Sequence, residues 1–372
     1  LGYDPARFTL RAMEPDGNDW REAGVDGAFA SDAPAFDVPA FDVPAFDVPA
    51  FDVPAFRFCA NAERIGCNWL VETGSATPFC AACRHNHIIP DLHLPENLPP
   101  WRALEAAKRR LFYSLMRLRL PLRTRAEDPA HGLAFDFLAE TSAAPHVLTG
   151  HENGLITIAL KEGDDAERER VRQQMGELYR TPLGHFRHEV GHHFWDLLVR
   201  DGGALEAFRA LFGDEREDYA AALQAHYARG DDGAWRDSFV SLYASSHPWE
   251  DFAETWAHYL HIVDTLEMAQ AFGIEIHPLL AHDPALQTEI RQDPYMAAQN
   301  GAGMDAILQA WLPLTYAVNS LNRTMGQPDL YPFVLNPPVV EKLGFIHRLM
   351  GGDINRQAGA AAPERAALQD AD

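Results

Sequence analysis

Residues 188–192 read His-Glu-Val-Gly-His, and this pentapeptide restricts the chain more than any other stretch. Two histidines four positions apart fall on one face of an α-helix, one turn from each other, so both imidazoles can reach a single metal ion. The flanking sequence favours that helix. Thr181 is a good N-cap and Pro182 suits the first helical position. Leu183, Phe186, Val190, Phe194 and Leu197 form an apolar stripe that carries the helix to about residue 199. Glu189, beside the first histidine, need not coordinate. It is placed to take a proton from a metal-bound water, whose pKa zinc lowers to about 7. The pattern also arises by chance in His-rich chains, and this one has 17 His. The competing reading is a surface helix with incidental histidines.

Two histidines leave a metal short of a third protein ligand. The longer pattern that adds a third His fails here, because Trp195 stands where Gly is required and Leu198 where His is required. A second helix, starting at Pro248 within residues 245–263, supplies carboxylates instead. Glu250, Glu254 and His258 are spaced four apart on one face, with Phe252, Trp256 and Leu260 opposite. Glu250 is expected as the third ligand. Glu254 is expected to hold His188 or His192 by its ring N–H, with His258 further along the same face. Asp251 and His258 are the substitutes if the face is misassigned, and a solvated acidic turn is the alternative. Two His and one Glu with an open fourth position is a catalytic zinc pattern. Hydrolysis also needs a donor for the oxyanion, and among Tyr243, His247, His258 and His261 the choice falls on Tyr243. His185 lies on the ligand face one turn early, while His193 is read as polar surface.

Four cysteines, and no others, occur as Cys59-x7-Cys67-x12-Cys80-x2-Cys83. This spacing is expected to hold one structural zinc in a small module too short for a core of its own. Two disulfides are the rival, requiring an oxidising compartment, and His85 or His87 could replace one Cys.

Residues 35–54 repeat Ala-Phe-Asp-Val-Pro four times, and Ala55-Phe56 begin a fifth copy. Proline every five residues blocks helix and removes ladder donors, so the segment reads as an extended spacer. With 31 basic and 54 acidic residues the net charge is −23. That charge opposes nucleic-acid binding and leaves peptides or proteins as the expected substrate, with a protein partner at the zinc module. No apolar run approaches the ~18–20 residues of a membrane span, so a soluble, cytoplasmic protein is expected. Residues 154–160 read as a short strand, for pairing either with substrate or within a sheet.

The chain thus divides into an N-terminal segment (1–31), the repeat linker (32–56), the four-cysteine module (57–95), a catalytic domain (96–275), a helical extension (276–350) and a tail (351–372).

The stretches Cys-Ala-Asn-Ala at 59–62, Cys-Asn-Trp-Leu-Val at 67–71 and Thr-Gly-His-Glu-Asn-Gly-Leu-Ile-Thr-Ile at 149–158 are long and specific. So are residues 179–192, from Tyr-Arg-Thr-Pro to His-Glu-Val-Gly-His, and 247–261, from His-Pro-Trp-Glu to Tyr-Leu-His. In these the chain resembles bacterial zinc-binding metallopeptidases that join an N-terminal zinc-ribbon segment to a gluzincin-like domain. The resemblance covers most of 57–350 and implies a mostly α, α+β zincin-like fold. It implies His188, His192 and Glu250 as ligands, Glu189 as base and Tyr243 at the offset of a catalytic tyrosine. Related chains tend to carry another Cys-rich knuckle upstream, so residues 1–31 are read as the remainder of a truncated one. The function expected is zinc-dependent peptide hydrolysis with one catalytic and one structural zinc. A non-enzymatic binding or regulatory module on the same fold is the alternative.

Overall fold

The structure is a computed structural model that describes residues 1–11, 13–16, 19–22, 56–141, 146–175, 177–279, 283, 286–288, 290 and 292–352. The Ala-Phe-Asp-Val-Pro copies at 35–54 lie outside these residues, as does the tail beyond residue 352. The chain forms two compact units, Leu1–Asn86 and His87–Asp372.

The first unit is built from short strands. Strands β1 (Gly2–Asp4) and β2 (Thr9–Arg11) form an antiparallel pair, tied by a buried Arg11–Asp4 ion pair at 2.8 Å. Strands β3 (Met13–Asp16), β4 (Asp19–Glu22), β5 (Phe56–Phe58) and β6 (Leu70–Glu72) make an antiparallel sheet in that order. One helical turn, α1 (Ala62–Ile65), follows Cys59.

The second unit is mostly helical. Strand β7 (Asn86–Ile88) flanks β8 (Ala134–Leu138), and β9 (Gly150–Glu152) and β10 (Leu155–Ala159) complete a sheet in the order β7-β8-β10-β9. The strand expected at 154–160 is therefore interior: β10 runs parallel to β8 on one side and antiparallel to β9 on the other. The edge belongs to β9, a strand too short for periodicity to reveal. Helix α2 (Leu98–Arg117) buries Trp101, Leu104, Leu111 and Leu115, whose spacing puts them on one helical face.

Helices α3 (Asp165–Met175), α4 (Pro182–Phe194), α5 (Leu205–Phe212), α6 (Tyr219–Arg229) and α7 (Pro248–Ala271) follow. Helix α4 stops being α-helical at Phe194 and widens into a π-helical segment, Trp195–Arg200. Its bonds from Asp201 N–H to Asp196 O and from Ala204 N–H to Val199 O span five residues. The sequence signalled only continuous helix there, because apolar periodicity does not distinguish the two.

Helices α4 and α7 pack face to face and form the heart of the core. Phe186, Val190 and Phe194 of α4 and Phe252, Trp256 and Leu260 of α7 are fully buried, with the Phe194 and Trp256 rings stacked at 5.1 Å. A methyl group on Gly191 would come within 3.1 Å of the Ala253 Cα, so glycine in the pentapeptide permits this close approach. Two further helices, α8 (Met304–Thr324) and α9 (Pro337–Gly351), form the C-terminal extension. Helix α9 returns to α7, where the Lys342 ammonium sits 2.6 Å from Asp251 and the Tyr259 hydroxyl 3.0 Å from His347 Nδ1. Among the described residues, no helix is long and apolar enough to cross a membrane.

Candidate metal centre

Helix α4 begins as its sequence dictates. The Thr181 side chain accepts the Gly184 N–H at 3.0 Å, and Pro182 occupies the first turn, where its missing N–H costs nothing. One turn separates His188 from His192, and their Nε2 atoms stand 3.2 Å apart. Helix α7 starts at Pro248 behind His247, whose Nδ1 accepts the Trp249 N–H. Its first turn brings Glu250 Oε2 to 2.9 Å from His188 Nε2 and 3.4 Å from His192 Nε2. One donor atom from each of these three residues lies within 4.8 Å of the others.

This donor set fits a zinc ion. Glu250 Oε2 is buried and has no hydrogen-bond partner, although two imidazole nitrogens face it. Donors held about 2.0–2.2 Å from a tetrahedral zinc stand roughly 3.3–3.6 Å apart, close to the separations seen. The electrostatics also favour a cation. Burial opposes charge on His188, but its bonds to Glu250 and Glu254 outweigh that and raise its pKa well above the usual histidine range. Burial likewise opposes charge on Glu250, yet His192 and His188 hold its carboxyl well below the ordinary carboxylate value.

The neighbouring carboxylates divide sharply. Glu254, one turn beyond Glu250, lies 2.8 Å from His188 Nδ1 and accepts the Ser241 hydroxyl at 2.6 Å. Asp251 turns the other way, to Lys342. His258 does not join the cluster either. Its Nδ1 shares a 2.7 Å hydrogen bond with the Tyr331 hydroxyl, and its ring packs on Phe333. Glu189 is almost wholly buried outside the three-ligand cluster, and burial raises its pKa.

His185 lies 3.3 Å from Glu162 rather than against the paired imidazoles. His193, expected at the surface, is 3% exposed. The reason is tertiary: β9 covers that side of α4, and His193 packs between Phe194 and His151.

Tyr243 places its ring 5.8 Å from that of His188, and burial together with Glu250 raises its pKa. A second phenol was not legible in the sequence. The Tyr219 hydroxyl donates to Glu250 Oε1 at 2.8 Å, while Oε2 faces the histidines. Nothing in the spacing of residues 31 positions apart signals that contact. Trp249 and His151 also border the centre, with ring centroids 4.1 and 6.2 Å from that of His192.

In the first unit the four cysteines form a separate cluster. All are buried, none is joined in a disulfide, and their sulfurs lie within 4.8 Å of one another. Cys67 stands 3.7 Å from Cys80 and 3.9 Å from Cys83, where sulfurs about 2.3 Å from a tetrahedral zinc would be roughly 3.8 Å apart. A disulfide needs about 2.05 Å, so this arrangement favours a metal over two disulfides. Hydrogen bonds from Cys67, Cys80 and Cys83 lower the pKa of Cys59, and the same bonding to Cys59 raises Cys67 and Cys80. His87 stays outside the cluster, with its Nδ1 2.8 Å from Asp136.

Residues 97–349 match a family model described as "Putative zinc-binding metallo-peptidase", and residues 42–94 match one described as a zinc-ribbon domain. An uncharacterized protein of Mycobacterium bovis and one of Mycobacterium tuberculosis are each 43% identical to this chain over 295 residues. The alignment covers 79% of this chain and 82% of each relative. No solved structure matches the chain.

Proposed function

The chain belongs to the family described as putative zinc-binding metallo-peptidases, and from that premise we propose that it hydrolyses peptide bonds at the His188–His192–Glu250 centre. The observation that carries this reading is the convergence of those three donors with Glu189 on the same helix as the two histidines. A zinc ion held by the three would act as a Lewis acid, activating a water and polarising the substrate carbonyl. Glu189 takes a proton from the attacking water and passes it to the leaving amine. Glu254 orients His188 through Nδ1, which directs Nε2 at the centre. Tyr243 is the proposed donor to the oxyanion.

The sheet offers the peptide a place to lie. Asn153 and Gly154 close the β9–β10 hairpin with φ of 47° and 82°, which makes Glu152 and Leu155 its closing pair. Hydrogen-bonded and non-hydrogen-bonded pairs alternate along an antiparallel ladder, so the next pair leaves the His151 N–H and C=O facing outward. Among the described residues no strand pairs with that edge of β9. An extended substrate can add there, beside the ring that packs near His192.

The cysteine cluster holds a second, structural zinc in this reading. Four clustered cysteines without a disulfide support a reducing, cytoplasmic setting. The test is Glu189→Gln assayed on a peptide library at matched zinc content. Zinc should stay bound while hydrolysis falls by roughly 100- to 10,000-fold. Equal cleavage by both proteins would rule out Glu189 as the base, and cleavage by neither would return the fold to a binding role.

A further inference from the structure

Between α5 and the start of α7 the chain makes a lightly packed excursion. Helix α6 buries only His226 of its 11 residues, whereas α4 and α7 on either side of the centre are largely buried. Gly213 and Gly230 bracket the excursion with φ of 102° and 67°, in the left-handed region that glycine adopts without strain. Among the described residues, the polar ties between 214–230 and the body of the unit are few. Glu215 pairs with Arg209 of α5 at one end. His247 Nδ1 accepts the Trp249 N–H, so in the neutral ring Nε2 carries the hydrogen and donates to Glu217 O at 3.2 Å. The remaining ties meet at Tyr219, whose hydroxyl donates to Glu250 Oε1 at 2.8 Å and accepts a hydrogen bond from Tyr243, with its ring against His247 at 5.3 Å and Trp249 at 6.4 Å.

We infer that residues 214–230 form a lid over the metal centre, hinged at Gly213 and Gly230 and latched by the Tyr219–Glu250 hydrogen bond. The inference rests on reading His188, His192 and Glu250 as a zinc site. An exposed helix has little apolar surface to hold it down, so its position depends on the few polar contacts at its first turn. The latch joins the lid to the one centre residue contributed by α7, through the carboxylate oxygen that the histidines leave free. A peptide reaching the centre displaces the lid, and the displaced Tyr219 hydroxyl is then free to donate elsewhere.

A latch governs how fast the centre is reached, whereas a support for a ligand governs how tightly metal is held. Tyr219→Phe separates the two in the full-length, zinc-loaded protein, with zinc release followed by a chromophoric chelator. The His188→Ala/His192→Ala double variant supplies the background from the cysteine cluster. Losing the latch should raise both the release and the uptake rate about tenfold and leave the zinc Kd within about twofold. Amide hydrogen exchange across 214–230 should rise by a similar factor, with α4 and α7 unchanged. A weakened Kd at unchanged exchange in 214–230, or faster exchange spread through α4 and α7, would make Tyr219 a support for Glu250 and overturn the lid. Unchanged rates and exchange would do the same. None of these readouts needs turnover. A protein that cleaves no peptide yet shows the expected changes would therefore retain the lid and lose only the peptidase reading.

Discussion

Glu254 Oε1 lies 2.8 Å from Nδ1 of His188, while Nε2 of the same ring lies 2.9 Å from Glu250 Oε2. The imidazole is thus gripped at both nitrogens by two carboxylates one helical turn apart on α7. A carboxylate at Nδ1 fixes the tautomer and the ring plane and raises the basicity of Nε2.

Glu254→Ala should therefore weaken zinc binding at this centre by roughly 10- to 100-fold. Competition with a chromophoric chelator measures it. Wild-type affinity in the variant would show that His188 is held in place by packing alone.

Elemental analysis should find about two zinc ions per chain, falling to about one in the His188→Ala/His192→Ala double variant. A single zinc that survives the double substitution would place the metal on the cysteines and remove the physical basis for catalysis.

Gly191→Ala should destabilise the second unit. The added methyl would lie 3.1 Å from the Ala253 Cα and 3.2 Å from Trp256 Cδ1, both in a buried helix–helix contact with little room to give. Overpacking of this kind costs about 1–3 kcal/mol, partly offset by up to about 1 kcal/mol from the better helix propensity of alanine. Thermal or urea denaturation should show the net loss, together with weaker zinc binding as α4 and α7 separate. A variant more stable than wild type would mean that the two helices can part without strain.

Burial lowers the pKa of His258 to about 4, against an ordinary value of 6.5. The unfolded chain therefore binds the proton more readily between those two values. The stabilising contribution is complete above about pH 6.5 and is lost as pH falls toward 4, amounting to about 3 kcal/mol as an order of magnitude. His258→Gln can keep a hydrogen bond to Tyr331 without titrating. Its stability should fall less steeply than that of wild type between pH 6.5 and 4.5, since both proteins share every other acid-sensitive group. Parallel curves would mean that His258 takes up a proton equally well in both states.

Much of this protein is written locally. The 3.6-residue periodicity of α4 and α7 places His188 beside His192 and Glu250 beside Glu254 wherever the helices lie, and Thr181-Pro182 and Pro248 mark where each begins. The spacing of Cys59, Cys67, Cys80 and Cys83 likewise names a single cluster in advance of any fold.

The tertiary structure decided what local periodicity leaves open. Glu250 and Asp251 are adjacent and both acidic, and only the packing of α7 between α4 and α9 sends one to the histidines and the other to Lys342. His193 became buried because β9, distant in sequence, covers that side of α4. His258 shares a helical face with Glu254 but meets Tyr331, 73 residues on, before it can meet the centre. Tyr219 reached Glu250 through a glycine-bracketed excursion with no repeat or motif. Helical spacing fixes which side chains share a face. Which partner that face meets depends on long-range burial of apolar surface, which no short window of sequence contains.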